Sequence, residues 1–301
     1  MMKLPDSKTL MYTLTGASLA CAVLLSASYD VHFHLRTSTS VQAPSEPQIV
    51  LKRGAITAKA AIIYDPVTKE VLFAKNADVQ LPLASLTKLM SADTVLSLSP
   101  TNSSVTITAQ DIKPEGDWGL IPGETWNLLD LLRFGLVASS NDAMQAAAAA
   151  APGDVIADMN KRAQQLGLTQ TYFTNPTGLD VNLETAGAYG SAHDVAVLAA
   201  TFLAQYPALF EATTHSSVSM TSQGHTLTAT STDVPILDIP GLIAAKTGYT
   251  DLAGGNLVAA FDTGINHPLI VAVLGSTVDG RFEDVKTLIN AARQTLAQYQ
   301  P

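Results

Sequence analysis

The sequence predicts a mixed α/β fold. In this fold, strands near both ends of the chain form one sheet, and a helical block lies between them in the sequence. Short apolar runs suited to β-strands lie near the start of the chain and again in its last third, and helix-length patterns fill the middle. The chain has 301 residues, of which 47% are hydrophobic and 14% charged, so it can bury a sizeable core.

The charge and the cysteine content exclude several classes of function. The net charge is −9, whereas a nucleic-acid-binding surface requires clustered lysine and arginine. Cys21 is the only cysteine, which excludes an intramolecular disulfide and a thiolate metal site. The six histidines show no ligand-like spacing, so we expect no metal and no other cofactor.

The N-terminal residues predict export. Residues 1–9 carry Lys3 and Lys8 and are expected to stay in the cytoplasm, and residues 10–28 carry no charge over a length just sufficient to span a bilayer. We favour a retained signal anchor over a cleaved signal peptide; a lipoprotein signal at Cys21 is weaker, because the apolar run continues beyond it. Each alternative places the rest of the chain on the extracytoplasmic side of the cell membrane.

A linker, a hairpin and a series of helices follow in the next part of the chain. Residues 29–54 are predicted to be a linker, because from residue 37 they are rich in Thr, Ser, Pro and Gln. The Asp-Pro-Val-Thr-Lys segment at 65–69 is typical of a turn, and Gly167 can close a helix with a positive φ. The predicted elements are strands at residues 55–64 and 70–75 and helices at 83–99, 124–138, 142–151, 154–166 and 192–205.

The last third of the chain changes from helical to strand-like patterns and ends in one amphipathic helix. Residues 263–266, Thr-Gly-Ile-Asn, are typical of a turn between two strands. The predicted elements are strands within 216–230 and at 241–249, 255–261 and 268–275, and a helix at 281–299.

Ser85 and Lys88 form the first candidate catalytic pair. They are three residues apart at the start of a predicted helix and therefore lie on one face of it. A neutral lysine amine can take the proton of a serine hydroxyl, and the first helical turn supplies N–H groups for a developing oxyanion. A Ser-x-x-Lys sequence is expected about once in 300 residues by chance, so this pair alone does not decide the function.

Two further motifs lie in positions suited to the same chemistry. Ser139-Ser140-Asn141 falls in a loop between two predicted helices, where its simplest role is to cap the second helix. Lys246-Thr247-Gly248, followed by Tyr249, lies on a predicted strand, where Gly248 permits the close approach of backbone or ligand. The three motifs together, in this order, indicate a serine acyl-transfer enzyme.

The motifs and their surroundings resemble the D-alanyl-D-alanine carboxypeptidase family of low-molecular-weight penicillin-binding proteins. The phrases Pro-Leu-Ala-Ser-Leu-Thr-Lys-Leu-Met, Ser-Asn-Asp-Ala and Lys-Thr-Gly-Tyr-Thr-Asp-Leu-Ala-Gly carry the resemblance, which covers about residues 55–295. It implies a DD-peptidase/β-lactamase-like fold, with an antiparallel sheet flanked by helices and an inserted all-helical subdomain. The catalytic domain would span residues 55–299, with the insert at about 100–190.

The resemblance implies roles for the first two motifs. Ser85 would attack the carbonyl between two D-alanines, with Lys88 as its general base. Ser139 would relay the proton to the leaving amine, and Asn141 would bind an amide carbonyl of the substrate.

The resemblance also implies roles for the third motif. Lys246 and Thr247 would hold the terminal carboxylate of the substrate, with Gly248 beside them, and the charge of Lys246 would keep Lys88 neutral. The backbone N–H groups of Ser85 and Tyr249 would form the oxyanion hole.

The partners implied are peptidoglycan stem peptides, β-lactam antibiotics as covalent inhibitors at Ser85, and the membrane through residues 10–28. A class A β-lactamase is disfavoured, because neither Glu184 nor Glu211 has the Glu-x-x-Leu-Asn context of those enzymes. A D,D-endopeptidase that cuts cross-links is the alternative within the family. A non-catalytic domain that binds peptidoglycan or senses β-lactams is the alternative from another class.

Overall fold

Five antiparallel strands form the central sheet of the computed structural model, which describes residues 48–116, 119–222, 224–264 and 267–298. The strands come from both ends of the chain, as the sequence predicts, and their order is β10-β11-β12-β1-β2. The hairpin β1–β2 therefore pairs with β12 through β1, and β10 lies at the edge. The strands are β1 (Ala60–Tyr64), β2 (Val71–Lys75), β10 (Leu242–Thr250), β11 (Gly254–Asp262) and β12 (Pro268–Ser276).

Both faces of this sheet are buried, because successive strand residues alternate between two hydrophobic clusters. Ile62 and Ile270 pack in the larger cluster with the helices of the middle of the chain, whereas Ile63 and Val271 pack in the smaller one with the C-terminal helix. The strands read as nearly continuous apolar runs for this reason.

The middle of the chain is mainly helical, but it also carries short strands. The helices are α1 (Thr87–Leu98), α2 (Leu128–Val137), α3 (Asn141–Ala150), α4 (Val155–Gln165), α5 (Ala192–Gln205), α6 (Pro207–Glu211) and, at the C-terminus, α7 (Gly280–Ala297). The short strands are β3 (Leu81–Pro82), β4 (Ser104–Thr106), β5 (Thr125–Asn127), β6 (Tyr172–Phe173), β7 (Ala188–Gly190), β8 (Ser217–Ser222) and β9 (His225–Thr230). The predicted insert at 100–190 is therefore not purely helical.

Two predicted boundaries differ from the structure. The helix predicted from residue 124 begins at Leu128, because Thr125–Asn127 pairs with β4 and the side chain of Asn127 caps the helix by accepting from two backbone N–H groups. The predicted linker at 29–54 ends too late. Ile49 is buried in the smaller cluster and its N–H donates to the carbonyl of Leu72 at 2.9 Å, so the packed domain already includes this residue.

The residues before β1 are fastened to α7 by one buried carboxylate. Asp284 accepts hydrogen bonds from the backbone N–H and hydroxyl of Thr57, the N–H of Ala58 and the hydroxyl of Ser276, at 2.6–2.9 Å. This joins the two ends of the domain beside the sheet.

The predicted signal anchor at residues 10–28 lies outside the described residues. Among the described residues, no single helix has the length and hydropathy of a membrane span. The helices Ala192–Gln205 and Pro207–Thr214 meet the hydropathy threshold only as a pair, and that pair is bent by 113°.

Candidate active site

Ser85 lies in a 3-10 turn, Ala84–Leu86, that leads directly into α1. Ala84 adopts a φ of 49°, in the left-handed region that non-glycine residues rarely occupy, and strain of this kind concentrates at functional sites. Lys88 follows in the first turn of α1, and its Nζ donates to Ser85 Oγ at 2.7 Å. The structure thus brings the first predicted pair into direct contact.

Lys88 is buried and held by three acceptors. In addition to Ser85, its Nζ donates to the side-chain oxygen of Asn141 at 2.7 Å and to the carbonyl of Thr177 at 2.8 Å. Burial, and then the positive charge of Lys246, place the pKa of Lys88 well below its usual value of 10.5. The amine is therefore easier to deprotonate than an exposed lysine, as a general base requires.

In the Ser139-Ser140-Asn141 motif, one residue caps a helix and the other two contact the lysines of the site. Ser140 caps α3 through its hydroxyl, which accepts from the N–H of Ala143 at 3.1 Å. Ser139 has a φ of 58°, and its hydroxyl accepts from Lys246 Nζ at 2.8 Å. Asn141 binds Lys88 with its oxygen and donates from its nitrogen to the carbonyl of Glu115 at 2.8 Å. An amide nitrogen carries two protons, so one remains for a substrate.

The Lys246-Thr247-Gly248 motif lies on the edge strand β10, next to Ser85. A Cβ on Gly248 would lie 2.9 Å from the carbonyl oxygen of Leu83 and 3.2 Å from the nitrogen of Ser85, so the missing side chain lets β10 approach the nucleophile's backbone. The hydroxyl of Thr247 donates to that of Thr232 at 2.6 Å. Tyr249 is half exposed, and its hydroxyl donates to Asp251.

Lys246 is buried beside two charged groups that the sequence analysis did not identify. Arg281, at the start of α7, donates to the carbonyl of Gly248 at 2.9 Å, and Asp233 is fully buried nearby. Burial lowers the pKa of Lys246 to about 8; the carboxylate of Asp233 opposes this effect and the guanidinium of Arg281 adds to it. No local sequence signal marks either residue, because Arg281 is far from Lys246 in the chain and Asp233 lies in an ordinary turn. The backbone carbonyl of Thr177 was missed for the same reason.

An open cleft of about 770 Å³ adjoins these residues. Asn141 and Tyr249 line it, together with three acidic residues, Glu115, Asp180 and Asp251. Within the described ranges, no group of three or more His, Cys, Asp or Glu side chains is placed to hold a metal ion.

The structure thus brings the predicted motifs together: a serine–lysine pair, a second serine linked to a second lysine, and an edge strand beside the nucleophile. Asn141 and Tyr249 also line the cleft. The sequence profile of D-alanyl-D-alanine carboxypeptidases matches residues 40–278. This chain belongs to that family. The family and the observed antiparallel sheet agree with the fold class expected from the resemblance.

Curated relatives of this family align along most of the chain. D-alanyl-D-alanine carboxypeptidase DacF of Bacillus subtilis is 30% identical over 253 residues, which cover 81% of this chain and 63% of the relative. A D-alanyl-D-alanine endopeptidase of Pseudomonas aeruginosa is 30% identical over 235 residues, covering 74% of each protein. This chain therefore spans less than two thirds of the length of its Bacillus relative.

Solved structures of the family share the same architecture. A D-alanyl-D-alanine carboxypeptidase from Mycobacterium tuberculosis has a TM-score of 0.74 and 27% identity, and the match covers 83% of this chain and 94% of that one. A penicillin-binding protein from Listeria monocytogenes in its ampicillin-bound form has a TM-score of 0.66 and 28% identity, with 81% and 99% covered.

Proposed function

We propose that this protein is a serine-type D-alanyl-D-alanine carboxypeptidase that removes the terminal D-alanine from peptidoglycan stem pentapeptides. The observation that carries the proposal is the contact of 2.7 Å between Ser85 Oγ and the buried Nζ of Lys88. A buried amine with a lowered pKa is a suitable base for a serine hydroxyl at neutral pH. The family match and the named relatives add support from outside the site.

In the acylation step, Lys88 takes the proton of Ser85 as Oγ bonds to the carbonyl carbon of the penultimate D-alanine. The backbone N–H groups of Ser85 and Tyr249 are proposed to stabilise the oxyanion, since Gly248 keeps their segments close together. The bond to the terminal D-alanine then breaks, and its amine receives a proton by way of Ser139. Water hydrolyses the resulting ester, restoring the hydroxyl of Ser85 and releasing the shortened peptide.

The charge around Lys246 fits a substrate that ends in a carboxylate. Lys246 and Arg281 are two buried cations with one buried carboxylate, Asp233, beside them. The hydroxyl of Thr247 completes this end of the site. We propose that the terminal carboxylate binds here, with Asn141 holding an amide carbonyl of the preceding residue.

β-Lactams are proposed to acylate Ser85 and to remain attached. The ampicillin-bound relative supports this, and the two glutamates between Asn141 and Lys246, Glu184 and Glu211, are solvent-exposed. Neither has the Glu-x-x-Leu-Asn context of the class A β-lactamases, which activate water with such a glutamate. We also propose that residues 10–28 anchor the protein in the membrane with the catalytic domain outside the cytoplasm, which their uncharged run supports.

The decisive experiment is to incubate the full chain with a pentapeptide and with cross-linked muropeptides and to analyse the products by mass spectrometry. We expect the pentapeptide to lose one alanine. Ser85→Ala should abolish this loss, whereas Ser97→Ala, which changes an exposed serine of the same helix, should retain it. Conversion of cross-linked dimers to monomers would identify the endopeptidase instead. Failure to change either substrate would favour the non-catalytic alternative.

A further inference from the structure

Asp233 is a buried carboxylate that the proposed reaction does not use. The residue is fully buried, and within the described part of the chain neither of its carboxyl oxygens accepts a hydrogen bond of normal geometry. The backbone N–H of Thr247 favours its ionised form, although it does not form a regular hydrogen bond with it. A buried polar group without a partner is costly, so its presence calls for a physical explanation.

The segment that carries Asp233 is fixed against the catalytic strand. The N–H of Asp233 donates to the hydroxyl of Ser231 at 3.0 Å, and that hydroxyl donates to the carbonyl of Thr213. The next residue, Thr232, accepts from Thr247 in the Lys-Thr-Gly motif. The backbone at Asp233 is therefore held in place by contacts of its own segment with β10 and with Thr213.

The charged groups that surround Asp233 are few and belong to different elements. Lys246 faces it from β10 and Arg281 from α7, and Arg281 itself faces Asp279. Lys88 of α1 is also close enough to Lys246 to be affected by its charge. When Lys88 is neutral, the buried set comprises two cations and one anion, so Asp233 is the only negative charge among these buried groups.

We propose that Asp233 is a positioning residue whose buried charge keeps the ammonium of Lys246 protonated, and so sets the upper limit of the pH range in which a substrate carboxylate is bound. This inference rests on the proposed function. Arg281 cannot lose its proton, so without Asp233 two adjacent buried cations would repel each other and Lys246 would release its proton. Burial raises the pKa of Asp233 to about 6 in spite of both cations, so the carboxylate is ionised at the pH where it is needed.

The direction of the effect follows from the charges. For a carboxylate substrate we expect kcat/KM of the free enzyme to fall on the alkaline side as Lys246, with a pKa of about 8, loses its proton. Asp233→Asn removes the only group that raises the pKa of Lys246, while burial and Arg281 continue to lower it. The alkaline limb should move to lower pH by about one unit or more. At pH 8 this lowers the protonated fraction of Lys246 from about one half to about one tenth, a loss of about fivefold or more in kcat/KM.

The matched control is Asp238→Asn, which makes the same chemical change at an exposed position five residues further along. We would measure kcat/KM against pH for D-alanine release, and the rate of Ser85 acylation by a penicillin, in the full chain and both variants. The loss in Asp233→Asn should appear mainly in KM, because Lys246 binds the carboxylate before the reaction. An unchanged alkaline limb, or an equal loss at every pH, would overturn the proposal.

A measurement on the unmodified protein covers the case in which Asp233→Asn does not fold. With 13C-labelled lysine, the Cε resonance of Lys246, assigned by its absence in Lys246→Arg, should titrate near pH 8 and show a smaller step near pH 6. Absence of the smaller step, or a neutral Lys246 at pH 7, would contradict the proposal. The penicillin and NMR readouts do not depend on D-alanine release, so failure of the proposed function would be recognised separately.

Discussion

Gly178→Ala tests how tightly the loop behind the nucleophile is packed. Gly178 has a φ of 82°, and a Cβ there would lie 1.9 Å from the carbonyl oxygen of Ala84 and 2.6 Å from the hydroxyl of Thr87. Ala84 belongs to the turn that carries Ser85 and Thr87 begins α1, so the loop that contains Gly178 must move away from both. The residue before it, Thr177, holds Lys88 through its carbonyl, and this contact must lengthen as the loop moves.

The structure sets the size of the effect. A left-handed alanine costs about 1–2 kcal/mol, and overpacking of a tight interior adds about 1–3 kcal/mol. The free energy of unfolding should therefore fall by about 2–5 kcal/mol, which lowers the melting temperature by roughly 4–20 °C for a domain of this size. Displacement of Lys88 by even about 1 Å should slow acylation of Ser85 at least about tenfold.

The comparison variant is Gly167→Ala. Gly167 has a φ of 73°, but a Cβ there would meet nothing within 4 Å. It should lose only about 1–2 kcal/mol of stability and keep the acylation rate. Thermal unfolding and acylation by a fluorescent penicillin measure both quantities. The reasoning fails if the two glycine variants lose the same stability and acylate at the same rate.

Three further predictions concern protonation and folding. The acylation rate should fall as pH decreases and Lys88 gains a proton, because burial and Lys246 lower its pKa; a rate without an ionisation below about pH 9 would contradict this. Arg281→Met should reduce kcat/KM, because one of the two cations proposed to bind the substrate carboxylate is lost. It should also move the alkaline limb of the pH profile of kcat/KM to higher pH, since the guanidinium lowers the pKa of Lys246. An alkaline limb at the same pH would argue against an electrostatic coupling of Arg281 and Lys246. Asp284→Asn should lower the free energy of unfolding by about 2–4 kcal/mol in urea titrations, because the carboxylate accepts four hydrogen bonds, whereas Glu283→Gln on the exposed face should change it little.

The sequence predicted the sheet well because its strands carry the signal of burial on both faces. Strands β1, β11 and β12 are mainly apolar runs. Because the other apolar segments have helical spacing, strands from the two ends of the chain are expected to pair with each other. Periodicity failed at Thr125–Asn127, where Trp126 is buried like a helix residue but the backbone pairs with β4. The partner of such a short strand lies about 20 residues away in sequence, so no local pattern reveals it.

In the site, too, contacts between residues close in sequence could be predicted, whereas contacts between residues far apart in sequence could not. Ser85 and Lys88 are three residues apart, and one helical turn is enough to predict their contact. Asp233 and Arg281 lie in separate loops and helices and meet Lys246 only through the packing of the whole domain. Their charges alter the chemistry of the site, but neither residue has a neighbour in sequence that would mark it.

The order of the strands also has a consequence for how the chain folds. β1 lies in the interior of the sheet between β2 and β12, yet β12 begins roughly 200 residues later in the sequence. During synthesis, β1 of the N-terminal hairpin therefore lacks its partner β12, and its backbone N–H and C=O groups on that side stay unpaired until nearly the whole domain has left the ribosome. Such high contact order predicts slow, late cooperative folding, and it makes the open edge of Ala60–Tyr64 the segment most exposed to wrong pairing in an unfinished chain.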